Sequence, residues 1–115
     1  MKYMLLLNRT SDALPEPGTA ELNRIIQEYG AAMEAMAQAG VLIDCAALGA
    51  RSSTTTVRVR DGETIITDGP SAEIKEQLGG YSIIECADLD EALKWAASSP
   101  AARDASVEVR PVVSA

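Results

Sequence analysis

The chain has 115 residues, a formal net charge of −7, 47% hydrophobic residues, no His and no Phe. So acidic a balance argues against a nucleic-acid partner, which needs clustered Lys and Arg, and offers no attraction to an anionic membrane surface. The absence of His removes the commonest general base near neutral pH, the Ser-His-Asp and Cys-His nucleophile schemes and most zinc sites. Any acid–base step falls to Asp, Glu, Lys, Tyr or Cys.

Lys2–Leu7 reads as a strand that is apolar on both faces, followed by a polar loop over Asn8–Gly18 with Pro15 and Pro17. Thr19 can cap a helix, with Glu21 in the first turn favouring the positive end of its dipole. Leu22, Ile25, Ile26, Tyr29, Met33 and Met36 then recur at helical spacing, and Gly40 stops the helix. Val41–Ala46 reads as a second strand and Leu48–Thr54 as a loop. Thr56–Arg60 and Glu63–Asp68 flank Asp61-Gly62, the signature of a tight hairpin, with Val57 and Val59 alternating with Arg58 and Arg60. Gly69-Pro70 ends the second arm. Ser71–Leu78 fits a short helix or an irregular loop, and Gly79-Gly80 leads into a strand at Tyr81–Cys86. Asp88 starts a second helix with Glu91 placed as in a capping box. Its apolar stripe is Leu89, Ala92, Leu93 and Ala96, and Pro100 lies just past its end. Val107–Arg110 is the last strand.

The length suits one domain over residues 1–115. With one Trp and three Tyr the core must be aliphatic. No apolar run approaches the ~18 residues that span a bilayer, and no cleavable leader is apparent, so the expected location is cytoplasmic. Cys45 and Cys86 are expected to be two buried free thiols.

The element order is β-α-β, an inserted hairpin, then β-α-β. Without the hairpin this is the split βαβ, ferredoxin-like pattern of an α+β fold. Two helices cover one face of such a sheet. The other face would be polar if it met water, yet Met4 and Leu6 oppose Leu5 and Leu7, and Ile83 opposes Ile84. A second copy of the sheet is the simplest cover, so a homodimer is expected. The expected core is Leu5, Leu7, Ile83, Val107 and Val109 from the sheet, and Leu22, Ile25, Tyr29, Leu89 and Leu93 from the helices.

The run T-D-G-P-S-A-E-I-K-E-Q-L-G-G-Y at Thr67–Tyr81 resembles the DGPF (DGPFAETKE) branch of the YCII-related family. It departs at Ser71, where the family has Phe, and at Ile74, where Thr is usual. The opening M-K-Y-M-L-L-L, T-T-V-R-V-R-D-G at Thr55–Gly62, D-L-D-E-A-L-K-W-A-A at Asp88–Ala97 and S-V-E-V-R-P-V at Ser106–Val112 extend the resemblance along nearly the whole chain. It implies a ferredoxin-like fold of the dimeric α+β-barrel type. Some members of the wider family have a proposed His–Asp acid–base pair. This chain has no His, and Ser99 stands before Pro100 where the Asp belongs, so that mechanism does not carry over. Genes of the branch often neighbour extracytoplasmic-function sigma factors, which implies a link with regulated transcription.

Within the motif, Asp68, Glu73 and Lys75, with Glu76, are the candidate polar site. Asp68 ends a strand at a turn, and Lys75 could hold a carboxylate ionised or meet an anionic ligand. The competing reading is turn chemistry at Asp-Gly-Pro with solvated charges. Arg58 and Arg60, with Arg51, could grip a carboxylate or phosphate, or simply form the polar face of a hairpin. Tyr81 could donate a hydrogen bond into a cleft. Ser52, Ser53 and Thr54 have no base in reach. Asp68, Glu73 and Lys75 are expected to converge near the dimer interface beside Arg58. Two functions follow: a dimeric module binding a small anionic ligand or a partner, with Arg58, Asp68, Lys75 and Tyr81 as contacts, or a cofactor-free enzyme acting on a small polar or aromatic acid through Asp68, Glu73 and Lys75. Neither calls for a metal or cofactor.

Overall fold

The structure is a computed structural model that describes residues 1–10, 15–70 and 76–114. Its elements are β1 (Lys2–Arg9), α1 (Ala20–Gln38), β2 (Leu42–Ala47), a 3₁₀ turn (Arg51–Ser53), β3 (Thr55–Arg60), β4 (Glu63–Asp68), β5 (Gln77–Glu85), α2 (Leu89–Ala97), α3 (Pro100–Asp104) and β6 (Val107–Pro111). Four strands form one sheet in the order β2-β5-β1-β6, with every neighbouring pair antiparallel. The β3–β4 hairpin is a separate two-stranded ribbon. The architecture is therefore α+β with a mostly antiparallel sheet.

Register assigns the two faces of the main sheet, because residues paired directly across antiparallel strands share a face. Tyr3, Leu5 and Leu7 pair with Ile84, Ser82 and Gly80 on one side and with Pro111, Val109 and Val107 on the other. This face meets Met36 of α1 and Ala92 and Ala96 of α2 in one core, so both long helices cover the same side. Leu5, Met36 and Ile84 are wholly buried. Each such side chain removed from water stabilises the fold by roughly 1.5–3 kcal/mol.

Several expectations are corrected here. Ile84, not Ile83, belongs to the core; Ile83 pairs with Met4 on the open face. Leu89 and Leu93 are each 47% exposed, because α2 is set close to the sheet by Ala92 and Ala96 and leaves the leucines on its flank. Strand β1 runs on through Asn8 and Arg9, which pair with Leu78 and Gln77 beyond a bulge, so these two residues are not loop. Gln77–Gly80 likewise belong to β5 instead of leading into it. Pro100 does not merely follow α2: it starts α3, whose N-cap is Ser99. Cys86 is buried, but Cys45 is exposed, on the edge strand β2 where it borders open space beneath α1.

The local signals act as their chemistry dictates. The Thr19 hydroxyl accepts from the Leu22 N–H at the start of α1, and the Asp88 carboxylate accepts from the Glu91 N–H at the start of α2. Glu91 reaches back to the N–H of Ala87, one residue before the cap, at 2.7 Å. Asp61 and Gly62 both take positive φ, 52° and 78°, the conformation that a two-residue hairpin with the strands' own twist requires. The hairpin strands pair with each other and make at most marginal contact with other elements. The Cα radius of gyration is accordingly 16.0 Å, against the roughly 13 Å of a compact chain of this length.

Gly80 fixes how closely β2 approaches β5: a Cβ there would lie 2.7 Å from the Ala46 carbonyl oxygen, a backbone atom that cannot step aside. Gly80→Ala is expected to cost about 1–3 kcal/mol in urea unfolding. Gly49→Ala, with nothing within 4 Å of the added methyl, should change stability by less than about 0.5 kcal/mol.

Candidate functional site

Helix α1 packs unevenly. Its C-terminal half carries Met36 at 0% exposure and the buried Ala32, whereas Leu22 and Ile25 near its start are only half-buried and Ile26 is 59% exposed. The cause lies on the sheet beneath. Along β5 the helix-facing residues diminish from Ile84 to Ser82 to Gly80, and along β2 from Leu42 to Cys45 to Ala47. At the narrow end of that series, beside Gly80 and Ala47, a cleft of about 850 Å³ opens between α1 and the sheet. This lies within the range of small-molecule sites, roughly 300–1,000 Å³. Leu22, Ile25, Ile26 and Met33 form its apolar helix wall, and Leu7 and Gly80 lie on the sheet side.

Polar groups gather at one end of the cleft. Arg9 lines it, with Nη2 donating to the carbonyl oxygens of Leu48 at 3.3 Å and Gly49 at 3.0 Å. Tyr29 lines it too, and burial pushes its phenol above the ordinary value. Two acids at the same place are already paired. Glu28 accepts from Arg24 at 3.0 Å and from Arg103 at 2.8 Å, and Asp104 accepts from Arg103 at 2.8 Å. The Arg103 bond holds each carboxyl below its ordinary value.

Asp68, Gly69 and Glu76 of the motif do not line the cleft. Asp68 is exposed and accepts no hydrogen bond among the described residues. It pairs with Thr55, while Arg58 pairs with Ile65, so register turns Asp68 and Arg58 to opposite faces of the ribbon. Glu73 and Lys75, and the Ser71 that replaces the motif Phe, lie outside the described residues. Gly69, by contrast, has an evident structural part. Its φ of +93° suits glycine, its N–H donates to the Thr54 carbonyl at 2.8 Å, and its own carbonyl accepts from the Thr56 hydroxyl at 2.6 Å. The Asp-Gly-Pro turn thereby closes the base of the hairpin. Glu76 is a second anchor: it accepts from the Ser106 hydroxyl at 2.6 Å, and Asn8 donates to both Ser106, at 3.2 Å, and Glu108, at 3.1 Å. Arg51 borders a smaller recess with Ser53, Thr54 and Gln77.

Tyr81 borders the cleft, but register sends its ring to the open face, where its hydroxyl donates to Asp44 at 3.1 Å. Ser99, at the position of the absent family Asp, is 2% exposed, and its hydroxyl accepts from the Ala101 N–H at the start of α3. Among the described residues no three His, Cys, Asp or Glu side chains are placed to hold a metal, and no helix is long and apolar enough to cross a membrane.

A small antiparallel sheet with its helices on one side and a cleft beneath the first of them is the class of protein that geometry defines. The chain belongs to the YCII-related domain family, whose match covers residues 1–115. It is 37% identical over 114 residues to an uncharacterized protein of Rhizobium meliloti (strain 1021), a similarity covering 97% of this chain and 92% of that protein.

Sequence marks Tyr29 as a core residue and gives no functional sign of Arg9 or of the cleft. The one available signal was the run of small residues at Cys45–Ala47 and Gly79–Gly80, set against the bulky positions early in α1. The Tyr81–Asp44 bond yields a test. Asp44 raises the Tyr81 pKa, because ionising the phenol loses the hydrogen bond and sets a phenolate beside a carboxylate. In an ultraviolet titration, Asp44→Asn should bring one tyrosine transition down towards the ordinary value and leave the other two in place.

Proposed function

We propose that this YCII-related chain is a ligand-binding module, one ferredoxin-like domain over residues 1–115 that works as a homodimer and holds a small, largely apolar molecule in the cleft beneath α1. The observation that carries the reading is the cleft itself, with apolar walls and a few polar groups gathered at one end. The order β2-β5-β1-β6 with helices on one face supports the ferredoxin-like assignment. The resemblance to the DGPF branch supports a regulatory setting near sigma-factor-controlled transcription. The solvated Asp68 and the capping role of Ser99 favour a module over an acid–base enzyme.

Two apolar surfaces support the homodimer. The open face carries Met4, Leu6 and Ile83 at its centre, only partly shielded within one chain. The hairpin holds Val57, Val59 and Ile66 at 60%, 60% and 67% exposure, and register sets Val57 and Ile66 directly across from each other. A stable pairing buries about 1,200 Å² or more in total, and the open face and the ribbon each offer apolar surface to it.

Sedimentation at micromolar concentration is expected to give a dimer, and Leu6→Glu a monomer with its helix content intact. A stable wild-type monomer would remove the dimer from the proposal. For the cleft, saturation-transfer NMR against small apolar and aromatic molecules should find binders that Ile26→Asp loses. Ile26 is 59% exposed, so this variant charges the wall without emptying the core. Binding that survives Ile26→Asp would place the ligand elsewhere.

A further inference from the structure

We infer that the cleft recognises its ligand by a single acidic head group: an apolar molecule bearing one carboxylate, with the carboxylate on Arg9 and the apolar body along α1. The inference rests on the reading of the cleft as a ligand site and names the chemistry that site selects.

The sequence holds 17 Asp and Glu against 10 Lys and Arg, so acids are in excess and a basic group has many partners to choose from. Arg9 nevertheless makes no ion pair among the described residues. Its Nη2 is spent on two backbone carbonyls, which fix the side chain without neutralising it. Its Nε is shut away from water and donates to nothing among the described residues. The enclosed Nε is out of a ligand's reach, but Nη1 makes no hydrogen bond among the described residues and is not buried, so the guanidinium can still meet a carboxylate. The position is built. A Cβ at Gly79 would lie 3.1 Å from the Arg9 Cδ and 3.3 Å from its Nε, so glycine at the bulge clears the space in which the side chain lies.

The surroundings suit an anion. Glu28 and Asp104, which would otherwise repel it, are neutralised by Arg24 and Arg103. Tyr29, half-buried in the cleft wall, offers a hydroxyl that makes no hydrogen bond among the described residues. Glu21 also lines the cleft but is exposed to solvent, where its charge is screened. Beyond these groups the helix wall is Leu22, Ile25, Ile26 and Met33, which can bury an alkyl or aryl body but cannot hydrogen-bond to it.

Octanoate and octan-1-ol share the apolar body and differ in the head, so calorimetric titration of the full chain with each isolates the head group. Octanoate should bind at least about tenfold more tightly, as charge-assisted hydrogen bonds exceed neutral ones. Arg9→Met should equalise the two. Gly79→Ala, which pushes the guanidinium aside without removing it, should reduce the ratio of octanoate to octanol affinity; it serves equally if Arg9→Met fails to fold. Equal wild-type affinities, or a preference that survives both variants, would overturn acid recognition alone. If neither compound binds, the ligand reading of the cleft falls with it.

Discussion

The decrease in side-chain size along the helix-facing side of the sheet controls most of what is distinctive in this molecule. Ile84, Ser82 and Gly80 succeed one another on β5, and Leu42, Cys45 and Ala47 on β2. The 19 residues of α1 therefore meet progressively smaller side chains on these two strands. The helix seats where the sheet is high, at Met36, and stands off where the sheet is low. The apolar residues of its first turns are therefore left without partners, and no backbone irregularity is needed to make a cleft. Gly80 is constrained twice over, since the approach of the Ala46 carbonyl forbids a side chain there and the missing side chain forms the cleft floor. A residue larger than glycine would damage the strand pairing before it filled the space.

This constraint also explains what sequence reasoning reached and what it did not. Element order, the caps at Thr19 and Asp88, and the Asp61-Gly62 turn are local effects, set by residues within a few positions of one another, and they were readable. The cleft is a property of two strands and a helix considered together. Each small residue, taken alone, fits an ordinary strand, and Leu22, Ile25 and Ile26 look like any buried helical stripe. Asn8 and Arg9 were assigned to a loop because polar residues after an apolar run resemble its end. Their strand conformation depends on Gln77 and Leu78, nearly seventy residues away in the chain. Ile83 and Ile84 pose the same problem in small: two identical side chains in succession fix no face, and only the pairing of Tyr3 with Ile84 chooses between them. Leu89 and Leu93 were misplaced because alanine lets a helix approach a sheet more closely than leucine does, and the closer packing won.

Motif residues divide by what the backbone asks of them. Gly69 and Glu76 are committed to closing the hairpin and tying the β5 entry to β1 and β6. Ser99 is likewise committed, as a buried helix cap. A serine there satisfies an N–H that would otherwise be unpaired, whereas a carboxylate engaged in the same way would have little freedom to exchange protons. The position therefore has a structural purpose. The polar groups with unused bonding capacity, Arg9 and Tyr29, lie instead at the cleft.

The two surfaces invoked for function lie on opposite sides of one sheet. The cleft opens on the helix side, and Met4, Leu6 and Ile83 line the other. In the proposed dimer, apposition through the open face would therefore leave the cleft accessible in each subunit, and a ligand beneath α1 would not compete with assembly. The two are still joined through β1, whose alternate residues serve both sides: Leu5 and Leu7 towards the helices, Met4 and Leu6 away from them. Arg9 continues the helix-side purpose of this strand, and Asn8 secures the same strand to β6 through Ser106 and Glu108. The close-packed interior around β1 is stiff and transmits strain, and the regular pairing of the strand is interrupted near one end. The bulge between Leu7 and Asn8 is at that end, next to both Arg9 and the glycine beneath it.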